Sequence, residues 1–314
     1  MPRHGRCAHS LPRPGSDSLL LQERNQRCSR TLSTEKHHQR VGTKFVGVTR
    51  LPSAAATRPA VKPAIQLEQL RKQYGEFAAV QGLDIEIAPG EIFGFLGANG
   101  AGKTTTMKML VGLLPPTSGR VLIGGYDVWA NPRQAKRLIG YVPDTPILHE
   151  LLTGQEFLWF MADLYGIPRA EARRRTAELL EFMGLAASAD KLIRDYSLGM
   201  KRKMAIATAL LHKPSVLLLD EVTNGLDARA AREVKDLVQS LARQGAAVFL
   251  TTHILSIAEE LSHRIGLIHK GRLIAVGTLP ELALLAGKPD ANLEEIFLTL
   301  TGDEVPAEME EAAP

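Results

Sequence analysis

Residues 97–105 read GANGAGKTT, a set of types and spacings suited to holding a triphosphate. Glycines at 97, 100 and 102 let a backbone curl so that several amide N–H groups face phosphate oxygens, an approach that larger side chains would block. Lys103 can reach the β and γ phosphates, and Thr104 can offer its hydroxyl to Mg2+. A helix starting here adds the positive end of its dipole. Gly97, Ala98, Asn99, Gly100, Ala101, Gly102, Lys103, Thr104 and Thr105 are therefore the candidate cradle. Its flanks agree: an apolar run of Ile92, Phe93, Phe95 and Leu96 precedes it, and a helical pattern of Met107, Met109, Leu110 and Leu113 follows. The competing reading is a glycine-rich turn with an incidental lysine.

A second set weighs against that competitor. Val216–Leu219 is a continuous apolar run, as expected of a parallel strand buried on both faces, and it ends in Asp220 and Glu221. Ala246–Leu250 is another such run, ending in Thr251, Thr252 and His253. In an open parallel sheet the carboxyl ends of the strands share the rim where ligands bind, so these polar groups should converge on the loop at 97–105. Asp220 can hold the shell of Mg2+, and Glu221 can polarise an attacking water. Two carboxylates after a strand otherwise suit an exposed turn. Ser197 reads as the N-cap of a helix running through Leu211, yet a serine hydroxyl, the amide of Gly199 and a helix amino end also suit a γ phosphate.

The elements that must position these residues begin at Ile65. Short strands are expected over Ile65–Leu70, Leu83–Ile87 and Glu91–Phe95, separated by turn signals such as Ala88-Pro89-Gly90. Thr153 with Glu156 predicts a capping box opening a helix with Phe157, Phe160, Met161 and Leu164 on one face, stopped by Gly166 and Pro168. A second helix runs to about Met183. The aromatic and methionine positions read as core, and Arg173, Arg174 and Arg175 as a solvated face.

Composition narrows the class further. The 314 residues suffice for one or two domains with a full core. No apolar run approaches the roughly 18 residues of a membrane span, so any membrane role needs a companion. The net charge of +4 hides an asymmetry: residues 1–62 carry 12 Lys and Arg against three acidic residues, the remainder 26 against 31. Basic charge therefore concentrates in an extension rich in Arg, Ser, Pro and His, expected to be disordered, and binding of nucleic acid is not expected of the folded part. The cluster Leu19–Leu21 is too short for a secretory signal, whereas the Arg-rich, acid-poor composition has transit-peptide character. A later start would need a non-Met codon, as at Val48 or Val61, because the next methionine is Met107. Cys7 and Cys28 both fall in the extension, which argues against a disulfide framework or cysteine zinc site and fits a cytoplasmic setting.

Together GANGAGKTT, YSLGMKRK, VLLLDEVTNGLD and TTH, in this order and spacing, resemble the nucleotide-binding subunit of ATP-binding cassette (ABC) transporters over about residues 65–300. The branch with separately encoded membrane subunits, including drug exporters, is nearest, because YSLGMK replaces the commoner LSGGQ and LEEIFLTLTG at 293–302 looks like its C-terminal helix. The resemblance implies an α/β P-loop fold with a mostly parallel central sheet, an N-terminal antiparallel β region and a helical subdomain at about 149–196. It implies an ATPase domain over 65–296, followed by a helix end and flexible tail at 297–314. It further implies Gly97–Thr105 as the Walker A loop, Leu217–Glu221 as the Walker B strand, Ser197–Met200 as the signature, Asn224–Asp227 as the D-loop and His253 as the switch histidine. Tyr74 matches the aromatic on which adenine stacks. The implied cofactors are ATP and Mg2+, with Thr104, Asp144 and Asp220 toward the metal and Glu221, His253 and Lys103 in catalysis.

The implied partners are a second copy, clamping each ATP between Lys103 of one chain and Ser197 with Gly199 of the other, and a membrane permease at the inner face of the cell membrane. Two departures stand out. Asp144 occupies a position where the family usually has Gln, and Val222 one where it usually has Pro; the carboxylate can still meet Mg2+, and Val222 removes no reactive group. A non-transport ABC ATPase or a nucleotide-dependent regulatory module are the alternatives. The first usually shows two cassettes, a long coiled coil or zinc cysteines, and the second conflicts with intact Glu221 and His253. A GTPase is disfavoured because no NKxD motif follows the loop.

Overall fold

The structure, a computed structural model, describes residues 62–302. The expected basic extension, apart from Lys62, and the expected tail from 303 onward lie outside the described residues. In chain order the strands are β1 (Ile65–Tyr74), β2 (Phe77–Ile87), β3 (Ile92–Leu96), β4 (Ser118–Ile123), β5 (Tyr126–Asp127), β6 (Ile139–Val142), β7 (Val216–Asp220), β8 (Ala247–Thr252), β9 (Arg264–His269) and β10 (Arg272–Gly277). The α-helices are α1 (Lys103–Leu110), α2 (Pro132–Arg137), α3 (Gly154–Leu164), α4 (Arg169–Phe182), α5 (Leu198–Leu210), α6 (Ala228–Arg243), α7 (Leu255–Leu261), α8 (Leu279–Leu285) and α9 (Leu293–Thr301).

Two sheets result. One is antiparallel, in the order β2-β1-β4-β5; the other has six strands in the order β10-β9-β3-β8-β7-β6, parallel except for the β9–β10 pair. Every residue of β3, β7 and β8 is buried, as continuous apolar strands covered on both faces must be. Alternation along β7 divides the core. Val216 and Leu218 pack toward α1 and the antiparallel sheet, while Leu217 and Leu219 pack with α3 to α6. Phe249 of β8 stacks on Phe93 at 5.9 Å and tilts on Phe95 at 5.3 Å, contacts worth about 0.5–1.5 kcal/mol each beyond their buried area.

The capping box at α3 forms as expected: Thr153 Oγ1 accepts from Glu156 N at 3.2 Å, and Glu156 Oε2 from Thr153 N at 2.9 Å. Strands β1 and β2 run longer than the apolar pattern, because the polar segment Arg71–Tyr74 is held by main-chain pairing with β2. The three arginines are not simply a solvated face. Arg174 pairs with Glu171 and Glu178, and Arg173 lies over the Trp159 ring at 5.8 Å. Arg175, half-buried, donates to Glu171 Oε1 at 2.7 Å and to Leu211 O at 2.9 Å, tying α4 to the end of α5. The expected boundary at 296 falls inside α9, whose Leu293, Ile296 and Phe297 are all buried against the α7–α8–β10 cluster. The helix therefore packs with the domain to its last turn.

Candidate active site

Four adjacent strands end on one rim. Leu96 stands opposite Thr252, Asp220 opposite Thr251 and Val142 opposite Leu219, so the loop at 97–102, Glu221, His253 and Pro143–Asp144 follow neighbouring strand ends. Register alone brings them together. At Gly97 a Cβ would sit 2.3 Å from Ile268 O, and at Gly102, held at φ +112°, 2.7 Å from Ala79 O. Both obstacles are backbone, so neither position admits a side chain without moving a strand. Gly102 is also the N-cap of α1 and offers no side chain to its first amides, which keeps that helix end suited to an anion. Within the cradle Ala98, Gly100 and Ala101 shape the turn, with Ala101 N donating to Ala98 O at 3.1 Å, and exposed Asn99 lies at its tip. Thr104 is exposed and Thr105 half-buried in the first turn of α1.

Lys103 is only 5% exposed, and its ammonium donates to Gly97 O at 2.6 Å and Ala98 O at 3.3 Å. It also stands 3.6 Å from Glu221 Oε1. The other oxygen of that carboxylate accepts from His253 Nδ1 at 2.8 Å. Glu221 adopts φ +50°, uncommon for a residue with a side chain, and its amide donates to Thr251 O at 3.1 Å. Asp220 is 4% exposed, and Thr251 Oγ1 donates to its Oδ1 at 2.5 Å. Burial pushes the Asp220 carboxyl above its ordinary range, the neighbouring carboxylates of Glu221 and Asp144 reinforce this, and the Thr251 hydroxyl and Lys103 oppose it. The phenol of Tyr141 on β6 is raised to about 12, mainly by burial and then by Asp220 and Asp144.

Ser197 and Gly199 stand at the amino end of α5 rather than at a strand end. Ser197 caps α5, its Oγ accepting from Met200 N at 3.3 Å, and Gly199 faces Ala230 and Leu226 at the start of α6. Leu198 between them is 49% exposed. Tyr74 ends β1 with its ring 48% exposed and the Lys72 ammonium 5.2 Å from its centroid. Its hairpin partner strand β2 contributes Ala79, which approaches the glycine-rich loop at Gly102.

A family model described as ABC transporter matches residues 80–224. A linearmycin resistance ATP-binding protein of Bacillus subtilis is 40% identical over 223 residues, spanning 71% of this chain and 72% of that one. The chain belongs to the ABC transporter family. A bacitracin transport ATP-binding protein of Bacillus licheniformis is 43% identical over 211 residues, 67% of this chain and 68% of the relative. A solved ATP binding subunit of an ABC transporter superposes with a TM-score of 0.71 at 33% identity, covering 76% of this chain and 99% of that one. This ABC subunit is thus an α/β ATP-binding protein, and no helix among the described residues is long and apolar enough to cross a membrane.

Two features of the ABC site were not legible in the sequence. Arg202 reads as one more charge on α5, yet it is 3% exposed and bonded to the loops beside Asp144 and Glu221. Its only signal is a charged residue one helical turn before the buried Ala205 and Ile206 of α5. The left-handed backbone of Glu221 carries no sequence signal, since turns of that shape usually advertise Gly or Asn.

Proposed function

We propose that this chain is the ATP-hydrolysing subunit of an ABC exporter, acting as a head-to-tail pair beneath a separate permease at the inner face of the cell membrane. The observation that carries the reading is Glu221 held between Lys103 at 3.6 Å and His253 at 2.8 Å, on the same rim as the glycine-lined cradle. The reading takes residues 65–296 as the ATPase domain, with α9 docked on it, and α3 and α4 as the helical subdomain.

The cradle amides and Lys103 would hold the triphosphate, and the exposed ring of Tyr74 would stack on adenine. Glu221 would take the proton from the attacking water, while His253 fixes the orientation of that carboxylate and faces the γ phosphate. Ser197 and Gly199, on the amino end of α5, would complete the site of a second copy. Thr104, Asp220 and Asp144 supply hard oxygens suited to Mg2+, and among the described residues no cluster of three or more His, Cys, Asp or Glu forms a closed metal cage. That donor set fits an ion held partly by phosphate oxygens. When bound, Mg2+ would neutralise charge on the triphosphate. The names of the two bacterial relatives, for linearmycin resistance and bacitracin transport, support a drug-like cargo moving outward.

Replacing the base is the direct test. General base catalysis contributes about 10²–10⁴ in rate, so Glu221→Gln should bind ATP normally and hydrolyse it at least about a hundredfold more slowly. Near-normal turnover in the purified full chain would refute the assignment.

A further inference from the structure

The buried guanidinium of Arg202 touches both loops that flank the acidic residues. Its Nη1 donates to Pro143 O at 3.0 Å and to Asp144 O, and its Nη2 donates to Asn224 O at 3.3 Å. The carboxylate of Asp144 stands 3.9 Å from Nη2. Asn224 in turn donates its amide to Glu221 O at 3.0 Å. One planar fork therefore joins α5, the loop after β6 and the turn that carries Glu221.

We infer that Arg202 is a positioning residue that fixes the left-handed turn of Glu221 and the Asp144 loop to α5. A non-glycine residue at φ +50° persists only where its surroundings over-determine it, and the Arg202–Asn224–Glu221 relay supplies such a constraint from below the rim. The phosphate cradle belongs to β3 and α1 and makes none of these contacts, so losing the fork should disturb the base and leave ATP capture intact. The placement also matters for communication. Arg202 lies five residues from Ser197 on the same helix, so displacement of α5 by whatever meets its amino end is passed to Glu221 through rigid groups. Asp144 fits this arrangement because its carboxylate faces a buried cation, which a neutral amide at that position would not offset. Lysine cannot replace the fork, having a single nitrogen to serve carbonyls on two loops.

This inference rests on the proposed ATPase activity. The test uses the full chain with Arg202→Lys, Arg202→Gln and, as control, Lys203→Gln, whose residue pairs with Glu233 on α6 and lies outside the site. ATP binding, KM, kcat and melting temperature are measured for each. Both Arg202 variants should lose at least tenfold in kcat, with KM and ATP affinity within threefold of the parent, while Lys203→Gln keeps its kcat. Full kcat in Arg202→Lys would overturn the positioning role, since charge alone would then suffice. A parallel loss of ATP affinity, or unfolding of both Arg202 variants, would make the residue a general structural support and equally overturn it. Absence of turnover in the parent chain would instead strike the proposed ATPase reading, leaving ATP binding by the Arg202 variants to be compared with the parent's on the same scale: equal affinity keeps the cradle independent of the fork, and a loss overturns that independence.

Discussion

The rim of the six-stranded sheet and the amino end of α5 both present polar groups suited to phosphate, but they are built in opposite ways. On the rim, Gly97, Lys103, Asp220, Glu221 and His253 are fixed by strand register, mostly buried, and bonded to one another or, for Asp220, to Thr251. At α5, Ser197 is exposed and its hydroxyl serves its own helix as a cap, beside the exposed side chain of Leu198. The first region is held together by its own contacts. The second is surface, and its chemistry makes sense only against another molecule. A groove of about 680 Å3, lined by Leu211, Pro214 and Gly245 near the amino ends of β7 and β8, belongs to neither region.

The contrast can be broken most sharply at Lys103. Its ammonium makes charge-assisted bonds within the rim, and a hydrogen bond to a charged partner is worth about 1.5–3 kcal/mol, so Lys103→Ala should weaken ATP binding roughly 10- to 100-fold. Equilibrium titration of the full chain with ATP and Mg2+ checks this, and unchanged affinity would mean that the cradle is not the phosphate site. Ser197→Ala should behave differently. Loss of the cap costs about 1 kcal/mol of stability, while the affinity of one chain for ATP stays as it was. If the chain pairs as proposed, the effect should emerge in ATP-induced association, read by light scattering at saturating nucleotide. If Ser197→Ala weakened ATP binding to the monomer as much as Lys103→Ala, the two surfaces would belong to one site and the contrast would fail.

The two regions also differ in how far the sequence revealed them. GANGAGKTT, the buried runs ending in Asp220-Glu221 and Thr251-Thr252-His253, and the capping box at Thr153 could be placed directly, because each combines a local backbone demand with a strong hydrophobic boundary. The polar half of β1 could not, since Arg71–Tyr74 owe their extended form to pairing with a strand that begins three residues later. Arg175 and Arg202 escaped for a related reason. Their environment is set by residues far along the chain, Leu211 for one and Pro143 with Asn224 for the other, and a buried arginine looks like a solvated one until those partners are known. The motifs were legible; the ties between them were not.

A smaller effect separates the regions energetically. Asp220 is a buried carboxylate whose ionised form is disfavoured by burial and by its acidic neighbours, only partly offset by the Thr251 hydroxyl and Lys103. Its folded-state pKa therefore lies above the unfolded value, so the unfolded chain binds fewer protons as pH rises through that window, and stability falls. The penalty is complete above the raised folded pKa and vanishes below the unfolded one. Asp220→Asn should thus raise the melting temperature at pH 8, by about 2–4 °C per kcal/mol recovered, and the gain should shrink as the pH is lowered toward the ordinary aspartate range. The same variant should lose Mg2+-dependent turnover. Thermal melts of parent and Asp220→Asn between pH 5 and 8 decide it: a difference that grows toward low pH would mean that the carboxylate is stabilised on the rim. The polar groups of α5 carry no comparable burden, because Ser197 is neutral and exposed. The rim accepts an internal cost for holding charge in place, and the amino end of α5 does not.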